Sequence, residues 1–238
     1  MLASRLAGLA SRLAQVAQTR VHRHVLDPLE DRRLAIRAAG RLKPEELALK
    51  GRNAQYARDY FGSPSWVFDR ALDALNIDMS RFVFVDLGCG KGRVLLRAAT
   101  RPFARMEGVE LSRPMYDIAL ANIDQAKAAG AIRAPVVAHH ADVAAYKLPA
   151  EPLVLYVFHA FEAVVLRQLL ERLERSLRGQ PRECHFIYLN PAHQDQFVHC
   201  PSLEEAPRAS WARMLDALIS PWPLAMYRTR EPLTARQG

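Results

Sequence analysis

One stretch constrains this chain more than any other: Phe82-Val83-Phe84-Val85-Asp86-Leu87-Gly88-Cys89-Gly90-Lys91-Gly92-Arg93-Val94-Leu95-Leu96. An unbroken apolar run stays dry only when both of its faces are covered, which describes a parallel strand between two layers of helices. The run ends in an acid and three alternating glycines, after which Val94, Leu95, Leu96, Ala98 and Ala99 carry a helical pattern. A strand, a glycine turn and a helix in that order aim backbone N–H groups and a positive helix end at something small, and glycine permits the close approach. That is the outline of a nucleotide-type cofactor site.

The residues downstream repeat the alternation. Phe103-Ala104-Arg105-Met106-Glu107-Gly108-Val109-Glu110-Leu111 holds a second, shorter strand that ends near Glu110, an acid 24 residues after Asp86. Ser112 caps the next helix, with Pro114 in its first turn and Tyr116, Ala119, Leu120 and Ile123 at helical spacing. Ala134-Pro135-Val136-Val137-Ala138 is a third strand running into His139, His140 and Asp142, with both histidines expected in a loop. Residues 152–158 form a fourth strand ending at His159, and residues 161–177 a helix stopped by Gly179. A fifth strand over residues 185–189 ends at Asn190-Pro191, a helical pattern follows over residues 211–219, and residues 224–228 suit a last strand.

This alternation predicts an α/β fold: a doubly wound, mostly parallel sheet with helices on both faces. Ligands in such sheets sit beyond the carboxyl ends of the strands, at the switch in strand order. Asp86, Glu110, Asp142 and His159 all stand at or just past such ends. Upstream, Ser63 is expected to cap a helix with Pro64 at its first position, a helix that brings Tyr60 and Phe61 to the rim of the glycine turn.

Three cysteines without paired metal spacing argue for a reducing compartment, the cytoplasm by default, and His139 and His140 lack a partner at metal spacing, so no metal site is expected. A net charge of +8 favours an acidic partner, yet no aromatic residues interleave the basic ones near the start, so RNA ranks below a protein or small molecule. No run approaches the length of a membrane span. Residues 2–16 contain a near repeat that sets Leu2, Leu6, Leu9, Leu13 and Val16 on one helix face, and no acid appears before Asp27 while Arg5, Arg12, Arg20 and Arg23 do. Residues 1–20 therefore admit packing on the protein's own body, self-association, or contact with a membrane surface, and the arginine-rich start also admits an organellar transit segment. Residues 27–50 read as two short helices, the second starting at Pro44-Glu45-Glu46.

The glycines at 88, 90 and 92 depart from the dinucleotide spacing, because the third comes one residue early. Asp86 before the turn would repel a pyrophosphate, whereas it suits a ligand carrying an ammonium and a sulfonium. Val-Asp-Leu-Gly-Cys-Gly-Lys-Gly, residues 85–92, resembles the first motif of class I S-adenosylmethionine-dependent methyltransferases, and the resemblance extends over about residues 56–190. It implies that residues 56–238 form an S-adenosylmethionine-binding domain preceded by a helical segment over residues 1–55. It also implies that Asp86, Gly88, Cys89, Gly90 and Gly92 hold the methionine portion. Glu110 then takes the ribose hydroxyls with Leu111 against the adenine, Asp142 accepts from the adenine amine, and Val143 faces the ring. The residue types fit, since carboxylates only accept and those groups donate.

The methyl acceptor belongs after the fourth strand. Tyr156-Val157-Phe158-His159-Ala160-Phe161 resembles a bacterial subgroup with Phe-Asn-Pro-Phe there, with His159 and Ala160 replacing Asn and Pro. The chain lacks the Asn-Pro-Pro-Tyr type loop of amine and amide methylases at that place. His159 is the candidate base, and Tyr60, Phe61 and Asn190 are the candidate acceptor contacts. An NAD-dependent oxidoreductase and a cofactor-binding scaffold without turnover are the alternatives.

Overall fold

The computed structural model describes residues 20–21, 25–34, 36–38, 41–58, 60–208 and 222–230, with only the backbone for Asp27, Glu30, Arg41, Pro44 and Phe61. The helices expected over residues 2–16 and 211–219 lie outside the described residues. In chain order the elements are α1 (Asp27–Leu34), β1 (Arg41–Leu42), β2 (Tyr60–Phe61), α2 (Ser65–Asp73), β3 (Val83–Leu87), α3 (Arg93–Ala98), β4 (Arg105–Glu110), α4 (Arg113–Ala128), β5 (Val136–His140), β6 (Leu153–Phe158), α5 (Ala163–Gly179), β7 (Cys184–Leu189), β8 (Leu203–Glu205) and β9 (Leu224–Thr229). Pro44–Leu47 is a single 3-10 turn with Glu45 and Glu46 in its first turn.

Among the described residues, one seven-stranded sheet runs β5-β4-β3-β6-β7-β9-β8. β3 pairs in parallel with both β4 and β6, so the order reverses beside it, and the crevice above β3 and β6 is the switch point. β9 enters antiparallel between β7 and β8. Every residue of β3 is buried, as the unbroken apolar run requires. Successive side chains alternate faces: Phe84 joins Phe68, Leu95 and Met106 on one side, while Val83, Val85 and Leu87 join Leu166, Leu170 and Phe186 on the other. Phe68 of α2 meets Phe84 and Tyr156 edge-on, with ring centroids 5.6 and 5.3 Å apart, which fixes α2 beside the central strands.

Three local expectations shift. The third strand begins after Pro135 and runs through His140, because β4 continues to Glu110 and pairs it with His140. His139 and His140 are thus strand residues rather than loop residues. α2 starts at Ser65 with Pro64 as its cap residue, and Ser63 is buried instead of capping. Gly179 is the last residue of α5, whose cap is Gln180.

Candidate functional site

A cleft with a cavity volume of about 100 Å³ lies over the carboxyl ends of β3, β4 and β6, and Tyr60, Asp86, Gly88, Cys89, Gly90, Glu110, Leu111, Asp142 and Val143 all line it. The glycine turn forms its floor. Gly88, Gly90 and Gly92 have φ values of +85°, +54° and +82°, which explains three glycines in five residues. A Cβ on Gly88 would sit 2.6 Å from the Ala160 methyl, and one on Gly90 would collide with the Tyr60 ring. The Cys89 sulfur packs against Gly108, leaving the Cys89 backbone to the cleft.

Glu110 ties the turn to the next helix. Its Oε2 accepts from the Gly90 N–H and its Oε1 from the Ser112 N–H, each at 2.8 Å. Burial raises its pKa, and the Ser112, Gly90 and Leu111 N–H groups oppose the rise. Asp86 is 3% exposed, and burial first, then the charge of Glu110, holds its pKa well above the usual carboxylate range. Two acids side by side in a dry cleft favour a positively charged ligand and oppose a pyrophosphate.

At the far end, Asp142 accepts from the Ala144 N–H at 2.9 Å and from Asn53 Nδ2 at 2.8 Å. Asn53, 5% exposed, also donates to Gln168 at 3.1 Å, and its Oδ1 has no hydrogen-bond partner among the described residues. His140 donates to the Leu111 carbonyl at 3.1 Å, and His139 contacts Glu107 at 3.0 Å. Among the described residues no three His, Cys, Asp or Glu side chains group to hold a metal ion.

The roof is a strap of residues 47–63. The Ser112 hydroxyl donates to the Leu47 carbonyl at 2.6 Å, the Arg58 N–H to the Ala160 carbonyl at 3.1 Å, and the Glu162 N–H to the Tyr56 carbonyl at 2.9 Å. Tyr60 donates to the Ala38 carbonyl at 2.6 Å, and the Lys91 ammonium stands 5.1 Å from its ring centre. Below the strap, Arg93 is 2% exposed, lines the cleft and pairs with Asp31 of α1 at 2.7 Å, while Asp31 also accepts from the Ala38 N–H at 2.7 Å. Residues on both sides of position 55 therefore build the cleft.

Other expected residues fall elsewhere. Gly92 packs against Ala119 as the cap of α3, outside the lining. The Phe61 side chain lies outside the described residues. Asn190, at φ +52°, ends β7 and donates its N–H to the Pro223 carbonyl at 2.7 Å, away from the cleft. His159, at φ +37°, also falls outside the lining. Its Nε2 accepts from Arg58 Nε at 3.0 Å, so the ring is neutral and protonated on Nδ1. Burial, then Arg58 and His193, lower its pKa, and the His193 ring centre lies 5.4 Å away.

Asn53, Arg93, Ser63 and Tyr156 line the cleft without having been expected there from sequence, Ser63 having been read as a helix cap. Arg93 directly follows the third glycine, a visible signal. Asn53 carried none, because it reaches the cleft from a loop 89 residues from its partner Asp142.

Residues 84–180 match a family described as "Methyltransferase domain". Phosphoethanolamine N-methyltransferase 2 of Haemonchus contortus, solved with S-adenosyl-L-methionine, superposes with a TM-score of 0.50 at 13% identity, covering 73% of this chain and 54% of that one. The ribosomal protein L11 methylase of Lactobacillus delbrueckii subsp. bulgaricus gives a TM-score of 0.48 at 13% identity, with 72% and 81% covered. Geranyl diphosphate C-methyltransferase of Streptomyces coelicolor A3(2) gives 0.49 at 13%, with 71% and 79% covered. No curated protein matches the sequence.

Proposed function

We propose that this chain is a class I S-adenosylmethionine-dependent methyltransferase, in keeping with the methyltransferase-domain match over residues 84–180, and that it methylates a nucleophile on a protein side chain or a small molecule. The observation that carries the acceptor reading is the strap: residues 47–63 roof the cleft, and its rim includes exposed Arg58 and half-buried Phe158 and Ala160. An approach roofed by the strap and walled by Phe158 and Ala160 beside Arg58, the exposed cation among its described lining residues, suits an extended side chain or a small substrate better than a base splayed from RNA. The buried free thiols of Cys89, Cys184 and Cys200 support a reducing compartment, and we assign the cytoplasm.

The residues fit the cofactor. S-adenosylmethionine supplies an electrophilic methyl carbon on a sulfonium. Asp86 and the backbone of the glycine turn would hold its cationic methionine end, and Glu110 would accept from both ribose hydroxyls through lone pairs left by Gly90 and Ser112. Asp142 and the orphaned Asn53 Oδ1 would accept from the adenine amine. Leu111 and Val143 supply apolar contact. Methyl transfer asks the protein to align the acceptor and exclude water, and Phe158, Ala160, Phe161 and Val165 do the latter. The Tyr156 phenol, raised far above its ordinary value by burial, stays protonated and serves as a wall rather than a base. We assign His159 a positioning role: its Nε2 holds Arg58 at the rim, where Arg58 also pairs with Glu162 at 2.8 Å.

The test is transfer of a tritiated methyl group from S-adenosylmethionine into fractionated proteins, metabolites and RNA from cells of the source organism. Label in proteins or metabolites, lost in Asp86→Ala, is the expected result. Label confined to RNA would overturn the acceptor reading.

A further inference from the structure

Helix α1 and the described residues just before it bury polar side chains and leave apolar ones exposed. On α1 the buried side belongs to Asp31 and Leu34, 8% and 3% exposed, and Asp31 is tied to Arg93 beneath the strap. The aliphatic residues point out: Val21, Val25, Leu26 and Leu29 are 52%, 50%, 37% and 55% exposed. Among the described residues the other large exposed apolar side chains, Leu120, Val137, Val164 and Val198, are scattered through the fold, whereas these four fall within nine positions. Scattered apolar surface is ordinary, whereas a continuous outward stripe marks a surface that meets something.

The same stripe extends upstream in sequence. Leu2, Leu6, Leu9, Leu13 and Val16 recur at alternating spacings of four and three, and residues 1–26 contain Arg5, Arg12, Arg20 and Arg23 with no aspartate or glutamate. Apolar stripe and unopposed positive charge together define the chemistry of the partner. A second copy of the same stripe would bring like charges together, while an anionic lipid surface satisfies both features. Among the described residues no helix is long and apolar enough to cross a membrane. We propose that the outward face of the N-terminal segment, through Val21, Val25, Leu26 and Leu29, docks this protein on anionic phospholipid membranes. Asp31 of α1 pairs with Arg93, which lines the cleft, so docking also sets the methyl-transfer cleft close to the membrane plane.

The full chain is mixed with phosphatidylcholine vesicles with and without phosphatidylserine and sedimented at low and high salt. Binding is expected only to the phosphatidylserine vesicles, weakening with salt. The double variant Val25→Glu/Leu29→Glu alters two exposed side chains, so its folding is checked by an unchanged circular dichroism spectrum, and its vesicle affinity should fall by about tenfold or more. Equal binding to both vesicle types, no binding, or binding untouched by the double variant would overturn the proposal. A salt-stable dimer that the double variant dissociates would overturn it too, assigning the face to a second copy.

Discussion

Glu110→Gln separates the two duties of the acid at the end of β4. In the folded chain its two oxygens accept one backbone N–H each, from Gly90 and Ser112, at 2.8 Å. Glutamine keeps one acceptor and turns an amide N–H₂ toward the other donor, so one charge-assisted bond, worth about 1.5–3 kcal/mol, is lost. Removing a charge whose burial raises its own pKa and that of Asp86 offsets part of this. The expected net loss of stability is about 1–2 kcal/mol, or about 2–4 °C in Tm per kcal/mol for a chain of this size. For the ligand the loss is less compensated, because both ribose hydroxyls are donors and only one finds an acceptor. Affinity for S-adenosylhomocysteine should fall about 10- to 100-fold. Isothermal calorimetry and a thermal melt on the same preparation read both numbers. An affinity within about twofold of wild type, with Tm lowered as expected, would refute the ribose assignment and leave Glu110 a purely structural clamp.

Four other outcomes follow from the same geometry. Asp86 has a raised folded pKa, so the ligand-free chain retains a proton that the unfolded chain would lose; stability should fall as pH rises from the usual carboxylate range through that raised value, and binding of S-adenosylmethionine should release the proton, measurable as a buffer-dependent heat that Asp86→Asn abolishes. Asn53→Ala removes the donor to Asp142 and the orphaned acceptor, and should weaken S-adenosylhomocysteine about tenfold while leaving the deaminated inosine analogue nearly unchanged; an equal loss for both would exclude Asn53 from reading the amine. Asp31→Asn breaks a buried pair with Arg93 and should cost about 3–5 kcal/mol in urea unfolding, far more than an exposed substitution; a loss below about 1 kcal/mol would show that the pair does not anchor α1. His159→Ala should raise KM for the acceptor and leave the pH profile of kcat in place, whereas a shifted kcat profile would make His159 the base.

The sheet and the floor of the cleft were legible because each depends on local rules. The alternation of Phe84 with Val83 and Val85 encodes two covered faces, and the positive φ of Gly88, Gly90 and Gly92 demands glycine whatever surrounds it. Strand ends could be placed because a polar residue closes or follows each apolar run, although the end of β5 was set by its pairing with β4, a non-local term that the Pro135-Val136-Val137 pattern does not carry. Most of the roof was not legible. Tyr60 was expected at the rim and lines the cleft, but Asn53 and Arg58 reach it through contacts with Asp142 and Ala160, and nothing in their neighbours' spacing announces those partners. His159 looked poised by its place after β6, yet its backbone at positive φ turns the ring toward Arg58 and His193, a conformation that sequence position alone does not encode.

The central claim is that two buried acids beside a glycine turn make this cleft a site for a cationic sulfonium cofactor. Calorimetric titration of the wild-type chain with S-adenosylmethionine and, separately, with NAD tests it most directly. Saturable one-to-one binding of S-adenosylmethionine, with proton release and no heat from NAD, is the predicted result. Binding of NAD without binding of S-adenosylmethionine would contradict the account.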